Sequence, residues 1–276
     1  MTPGGDRRDA ADVGRHARLE LVFGCRAGRT MLIDAYAEPP LRVGRWFAEG
    51  AGLHMIMATS APGIFAGDSF RQSIRVERGA RVRLTSQSAL QVHPNAGPAA
   101  RMVSTYHVQD DAELRCQWDP VIPFAGARLD QRVEIRLDER GSLYWSDAFM
   151  NGRQARGERW MFLALAHELK VWRAGLLEYL ERYRIVPKER RPSGRWGGGE
   201  ACYFGTVVAS GIDVRPDAVE RLHADLAAIG GVRAAADALD RRLLLVRLMA
   251  EAGVPFHEAR ARCSGPIGLP PATVVG

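Results

Sequence analysis

The chain has 276 residues, 46% of them hydrophobic and 25% charged, with a formal net charge of +6 and a pI near 9.5. That length buries a sizeable core without staples, and Cys25, Cys116, Cys202 and Cys263 show no C-x-x-C spacing, which argues against a zinc ribbon or thioredoxin-type motif and for reduced, buried thiols. Only Lys170 and Lys188 are lysines, the other positive charges are arginines, and no basic block alternates with aromatic residues, so nucleic acid is not an expected partner.

Residues 1–15 are rich in Gly, Asp and Arg and have no apolar run, so they read as a flexible tail rather than a secretory signal or membrane anchor. Arg18 to Phe23 alternates as a strand, Ala27-Gly28-Arg29 turns the chain into Thr30 to Ile33, and Pro39-Pro40 ends that hairpin. Leu41 to Val43 and Leu53 to Ala58 are two more extended runs. The most apolar stretch, Leu53 to Phe65, is interrupted by Thr59, Ser60 and Pro62 and falls short of the roughly 20 residues a spanning helix needs. No membrane contact and a cytoplasmic location are expected.

From Pro62 to Thr85 a unit appears that the chain then repeats. Ser73 to Val76 alternates, Arg78-Gly79-Ala80 turns, and Val82 to Leu84 alternates again. Tyr106 to Val108 and Leu114 to Cys116 flank a turn at Asp110 to Ala112, and Val133 to Leu137 and Leu143 to Trp145 flank one at Glu139 to Gly141. A fourth copy is expected around Arg173-Ala174-Gly175. The turn positions 79, 111, 141 and 175 recur about every thirty residues, which predicts stacked β coils, each burying its apolar side chains against the next. A β-branched residue at Gly79 is expected to break its turn and lose the fold.

Residues 159–186 carry helix-favouring residues, but Leu177, Tyr179, Glu181, Tyr183 and Ile185 alternate, and strands are expected. Arg191 to Gly199 reads as a flexible loop and Tyr203 to Val208 as a strand. Pro216 opens a helix with Val219, Leu222, Leu226 and Ile229 on one face, stopped by Gly230-Gly231. Leu243 to Met249, broken only by Arg247, fits a central strand or a buried helical turn, and Pro255 to Cys263 fits a second short helix. The expected fold is mainly β, a layered β-helix-like solenoid in one domain over 16–265, with about two helices in the part near 215–265 and a loose tail over 266–276.

The ordered set of small motifs resembles the urease accessory protein UreD (UreH) family. It comprises Pro39 with Leu41-Arg42-Val43, Phe47 and Glu49-Gly50; His54; Pro62-Gly63 and Gly67-Asp68; Val76, Gly79-Ala80 and Leu84-Thr85; Ile122, Phe124 and Gly126-Ala127; and Gly152-Arg153 with Gly157-Glu158, over roughly residues 15 to 250. Trp118-Asp119-Pro120, Ile64, and Gln91 with His93 and Pro94 depart from the family's usual Pro-Gln-Glu, Gly, and Lys, Tyr and Arg. The resemblance implies a two-layered β-helix with a pair of helices. It also implies a non-catalytic scaffold that binds apo-urease and, with UreF and the GTPase UreG, helps deliver nickel, which is in transit rather than a tightly bound cofactor.

Asp68, Asp119 and Glu158 each carry two readings: a carboxylate satisfying nearby polar groups, or, as the resemblance suggests, a group on a polar path or partner contact. Arg153 is a candidate partner for Asp119 or Glu158. His54, Met55 and Met57 cannot converge on a metal, because alternation puts the methionines on one face and the histidine on the other; His54, His93 and Cys116 remain weak ligand candidates. No G-x-S-x-G, P-loop or H-E-x-x-H occurs. The alternative is a β-solenoid carbohydrate-active hydrolase or lyase using paired carboxylates about 5 to 10 Å apart.

Overall fold

The computed structural model describes residues 14–94, 97–189 and 199–264. Residues 1–13 of the expected N-terminal tail, the expected C-terminal tail and most of the expected 191–199 loop lie outside these residues; Arg15, expected to belong to the first tail, is instead tied to Asp68 and Ser69. The chain opens with β1 (His16–Arg26), β2 (Arg29–Ala37), β3 (Leu41–Arg42) and β4 (Trp46–Glu49). Four coils follow: β5 (Gly52–Thr59), β6 (Ile64–Phe65) and β7 (Ser69–Val76); β8 (Arg81–Ser86), β9 (Leu90–His93) and β10 (Ala100–Val108); β11 (Glu113–Gln117), β12 (Val121–Pro123) and β13 (Arg128–Leu137); and β14 (Ser142–Met150), a 3-10 turn (Gln154–Arg156) and β15 (Ala164–Arg173). The chain closes with β16 (Leu176–Ile185), β17 (Tyr203–Ser210), α1 (Pro216–Ala227), β18 (Val232–Asp240), β19 (Leu243–Ala250) and α2 (Gly253–Ser264).

Each coil sends its first strand into one large sheet and its last into another. The seven-stranded sheet runs β16-β15-β13-β10-β7-β1-β2, and the twelve-stranded sheet runs β18-β19-β17-β14-β11-β8-β5-β3 along its main path. Coil strands pair in parallel, so equivalent residues stack. Leu53, Val82, Leu114 and Leu143 form one row, and Met55, Leu84, Cys116 and Trp145 the next. Opposite them, Leu21, Ile74, Tyr106, Ile135 and Val171 are in register. Almost every side chain in these rows is buried, each contributing about 1.5–3 kcal/mol for a large apolar residue.

The turns decide where the chain goes. Gly79 (φ +74) and Asp111 (φ +60) are single left-handed residues that pass the chain to the other sheet. At the fourth expected turn, Ala174 (φ 45) and Gly175 (φ 84) are both left-handed. Two such residues in succession suit the right-handed twist of a hairpin, so β16 returns antiparallel to β15 rather than starting a further coil. Ala27 (φ 50) and Gly28 (φ 76) do the same between β1 and β2. The seven-stranded sheet is thus closed by a hairpin at each end, and the fourth repeat read from the sequence is a cap.

Beyond the last coil, β17, β19 and β18 extend the twelve-stranded sheet antiparallel. Their outer face is covered by the helices, with Leu222, Leu226, Phe256, Ala259 and Cys263 packed on Tyr144, Val207, Val246 and Leu248. The strands within 159–186, which begin at Ala164, and both helices match the sequence reading, and Leu243 to Met249, which the sequence leaves open between strand and helical turn, is a strand. β4, β18 and the short strands β6, β9 and β12 do not appear in that reading. The Val232 to Asp240 run is alanine-rich and holds a single β-branched residue, so its strand state comes from pairing with β19 rather than from propensity.

Two arginines fasten this closing layer. Arg173, continuing the row of Phe23, Val76, Val108 and Leu137, donates to the carbonyls of Asp138, Glu139 and Gly141 at 2.8 to 3.1 Å and to Ser210 Oγ at 2.6 Å. Arg260 of α2, only 2% exposed, donates to Ser146 Oγ at 3.0 Å and to the Trp118 carbonyl at 2.7 Å.

A Cβ at Gly79 would meet only the Cys25 Cβ, at 3.7 Å, whereas one at Gly141 would lie 2.9 Å from the Val108 carbonyl oxygen. At Gly79→Val the Cβ therefore meets no clash and the strain is that of the left-handed backbone, about 1–3 kcal/mol; we expect a destabilised chain that still folds. Gly141→Val forces backbone apart and is the more damaging. Urea unfolding of both variants checks the order.

Candidate functional site

Between the two sheets lies a cavity of about 290 Å³, lined in part by the Thr59–Gly63 and Gln87–Leu90 segments. Leu19, Phe70, Met102 and Trp145 make much of its wall, but Gln72, Ser104, Gln131, Ser86 and Asp119 also face it. The polar residues come from two neighbouring rows: Gln72 stacks on Ser104, and Gln131 takes a place in the otherwise apolar row of Phe70 and Met102. Ser104 is buried and Gln72, Gln131, Ser86 and Asp119 are half-buried; withdrawing polar groups from water is costly unless they are partnered, so a file of them inside an apolar stack is the feature that the core does not explain.

The file continues past the cavity. His167 follows Gln131 in register, and its Nδ1 lies 3.3 Å from the Gln131 side-chain oxygen. Its Nε2 lies 3.6 Å from Asp147 Oδ2, which accepts Trp145 Nε1–H at 2.9 Å. Asp147 pairs in register with Thr206, and Thr206 with Arg247. Arg247 donates to Glu181, to Thr206 Oγ1 at 2.8 Å and to Tyr179 OH at 3.0 Å, and Tyr179 OH donates to Glu181 Oε2 at 3.1 Å. Burial pushes the Asp147 carboxyl above its ordinary pKa, with His167 pulling the other way and Glu181 adding to the rise. Burial alone would lower the Arg247 pKa, but Glu181 outweighs it. The interior therefore holds polar and charged side chains in sequence from Asp119 at one end to Arg247 at the far lip.

The residues singled out from sequence are placed as follows. Asp68 accepts the backbone N–H groups of Arg15 at 2.8 Å and Phe65 at 3.0 Å and the Arg15 guanidinium at 2.9 Å. Burial would raise its pKa, but these hydrogen bonds together hold it below the usual carboxylate range. Arg153 pairs with Glu158, which also accepts the Ala125 N–H at 3.1 Å, and the guanidinium lies 3.8 Å from the Phe124 ring centre; this rivets the 3-10 turn to the preceding coil. Asp119 donates its N–H to Ser86 Oγ at 2.7 Å and is the only one of these four on the cavity.

His54 is 2.9 Å from Thr85 Oγ1, with its pKa lowered by burial and then by Arg83. Met55 is buried on the opposite face of β5. His93 stacks on Phe65 at 4.4 Å and meets the edge of Phe124 at 4.6 Å. Cys116 is fully buried, and its thiol pKa is pushed well up by burial. Among the described residues no group of three or more His, Cys, Asp or Glu is gathered closely enough to hold a metal ion.

Gln131, Asp147, His167, Glu181 and Arg247 were not among the residues that the sequence singled out. Two left a signal: Glu181 occupies an apolar position of an alternating strand, and Arg247 interrupts an apolar run.

A β-solenoid with a polar-lined interior, capped by hairpins and a helical layer, is the class of protein that fold and site define. Over residues 15–265 the sequence matches the family described as UreD urease accessory protein, and the chain belongs to that family. It is 30% identical to the urease accessory protein UreD of Methylobacterium sp. (strain 4-46) over 98% of this chain and 96% of that one. It is 34% identical to that of Sorangium cellulosum (73% of this chain, 64% of that one) and 31% identical to that of Thermosynechococcus vestitus (76% and 77%). Membership supports a role in urease maturation. Among the described residues no helix is long and apolar enough to cross a membrane.

Because the folded-state pKa of Asp147 is raised, its ionisation weighs against folding as pH rises from the unfolded value near 4 through the folded one, and the penalty is constant above that. Asp147→Asn keeps an oxygen for the Trp145 N–H. We expect it to stabilise the chain at neutral pH, with the gain lost as pH falls through the folded-state value and gone below the unfolded one near 4; thermal melts across pH measure it.

Proposed function

We propose that this chain is a urease maturation factor, a non-catalytic cytoplasmic scaffold that binds apo-urease and, with UreF and the GTPase UreG, assists nickel delivery. Nickel passes through it in transit, along the interior file from Asp119 past Gln131 and His167 toward Glu181. The observation that carries this reading is the file itself, set within the otherwise apolar solenoid of a UreD-family chain. Oxygen and imidazole groups suit a borderline divalent cation, and their spread along the interior, rather than closure around one point, suits passage over retention.

The carboxylates Asp68, Asp119 and Glu158 do not favour a glycosidase-type reaction. Asp68 and Glu158 are each held by an arginine and backbone N–H groups away from the cavity that Asp119 lines.

Co-expression with urease subunits and the other accessory proteins tests the proposal. The tagged chain is expected to co-purify with apo-urease, and nickel-dependent urease activity to require it. Gln131→Leu, close in volume but apolar, should lower the melting temperature modestly, because the buried His167 Nδ1 loses its partner, but should retain co-purification while reducing activation at limiting nickel at least tenfold. Absence of co-purification together with undiminished activity when the chain is omitted would overturn it.

A further inference from the structure

The seven-stranded sheet stops at β16, whereas the facing sheet runs on through β17 and β19 to β18. Arg247 on β19 therefore stands at the lip of the sandwich. Its side chain is 46% exposed, while that of its partner Glu181 is 7% exposed. One side of the guanidinium is spent on Glu181, Thr206 and Tyr179. Among the described residues no second carboxylate pairs with it, so its outer side is open to one supplied from outside.

We propose that Arg247 is the stopper of the interior file: its guanidinium neutralises Glu181 and bars divalent cations from that end, and a carboxylate on a docked partner draws it off to open the exit. The proposal rests on the reading of the interior as a cation path. An arginine cannot shed its proton to let a cation by, and its fixed positive charge repels a divalent cation approaching Glu181. Withdrawal of the side chain is thus the way to clear the lip. Once cleared, Glu181, with Asp147 behind it, presents uncompensated carboxylate to an arriving cation, and Thr206 Oγ1 and Tyr179 OH add neutral oxygens.

Equilibrium dialysis of the full chain against Ni²⁺ alone tests the stopper directly. Wild type is expected to bind weakly, Arg247→Met to bind one Ni²⁺ at least tenfold more tightly, and Arg247→Met with Glu181→Gln to return to the wild-type value. No gain in Arg247→Met, or a gain that survives loss of the Glu181 charge, would overturn the proposal. Removing one partner of a buried pair can unfold a chain, so Arg247→Gln, which keeps hydrogen-bonding capacity toward Glu181, is measured alongside and Ni²⁺ is present during refolding. Failure of both single variants to fold even with Ni²⁺ also counts against it, since the cation is expected to replace the missing charge.

Co-purification with urease separates the two readings. A gain of nickel binding in a chain that never associates with urease keeps the stopper and removes the maturation role. Association and activation without any gain does the reverse.

Discussion

Everything in this molecule follows from in-register stacking of inward side chains on successive coils. Parallel strands about 4.8 Å apart put each side chain directly on its equivalent in the next coil, so rows must be filled with shapes that stack. Leu53, Val82, Leu114 and Leu143 do so on one wall. A stack built this way has two open ends, and each end would expose both apolar rows and unpaired strand edges. The chain answers with a hairpin at each end of the seven-stranded sheet, and with β17, β19, β18 and two helices over the last coil of the other.

Closure also explains why the buried charges gather late in the chain. At the last coil Arg173 takes the next place in the row of Phe23, Val76, Val108 and Leu137, Arg260 reaches in from a helix and Arg247 from β19, and each donates to oxygens of the solenoid or its cap. Arg173 does this at the Asp138 to Gly141 turn, Arg260 at Ser146 and Trp118, and Arg247 at Thr206 and Glu181. Such side chains bind the closing layer to the solenoid by polar contacts of defined geometry, whereas apolar packing alone would leave its register less determined.

The architecture was largely legible in the sequence because the repeat is written in short-range signals: period-two alternation and a turn residue about every thirty positions. What was not legible depends on partners distant in sequence. Ala174-Gly175 looks like the other coil turns, and only the second left-handed residue turns it into a hairpin. The Val232 to Asp240 strand has little propensity of its own and is recruited by β19. The polar file was missed because its members come from β13, β14, β15, β16 and β19 and look ordinary one by one. Glu181 and Arg247 were visible as charges on apolar positions, but nothing in the sequence pairs residues 66 positions apart. Of the residues picked out early, Asp119 reaches the cavity, while Asp68, Arg153 and Glu158 are fastened to backbone and to each other's kind of partner.

For a chain of the UreD family this division of labour has a functional sense: the rows make a rigid body, and the exceptions in them line its interior. The central claim is that nickel travels inside the solenoid. Anomalous diffraction at the nickel edge, from crystals of the chain with its maturation partners and nickel, tests it most directly. The account predicts density within the interior, between Asp119 and the His167–Asp147 pair. Nickel found only on the outer surface, with the interior empty at full loading, would contradict it.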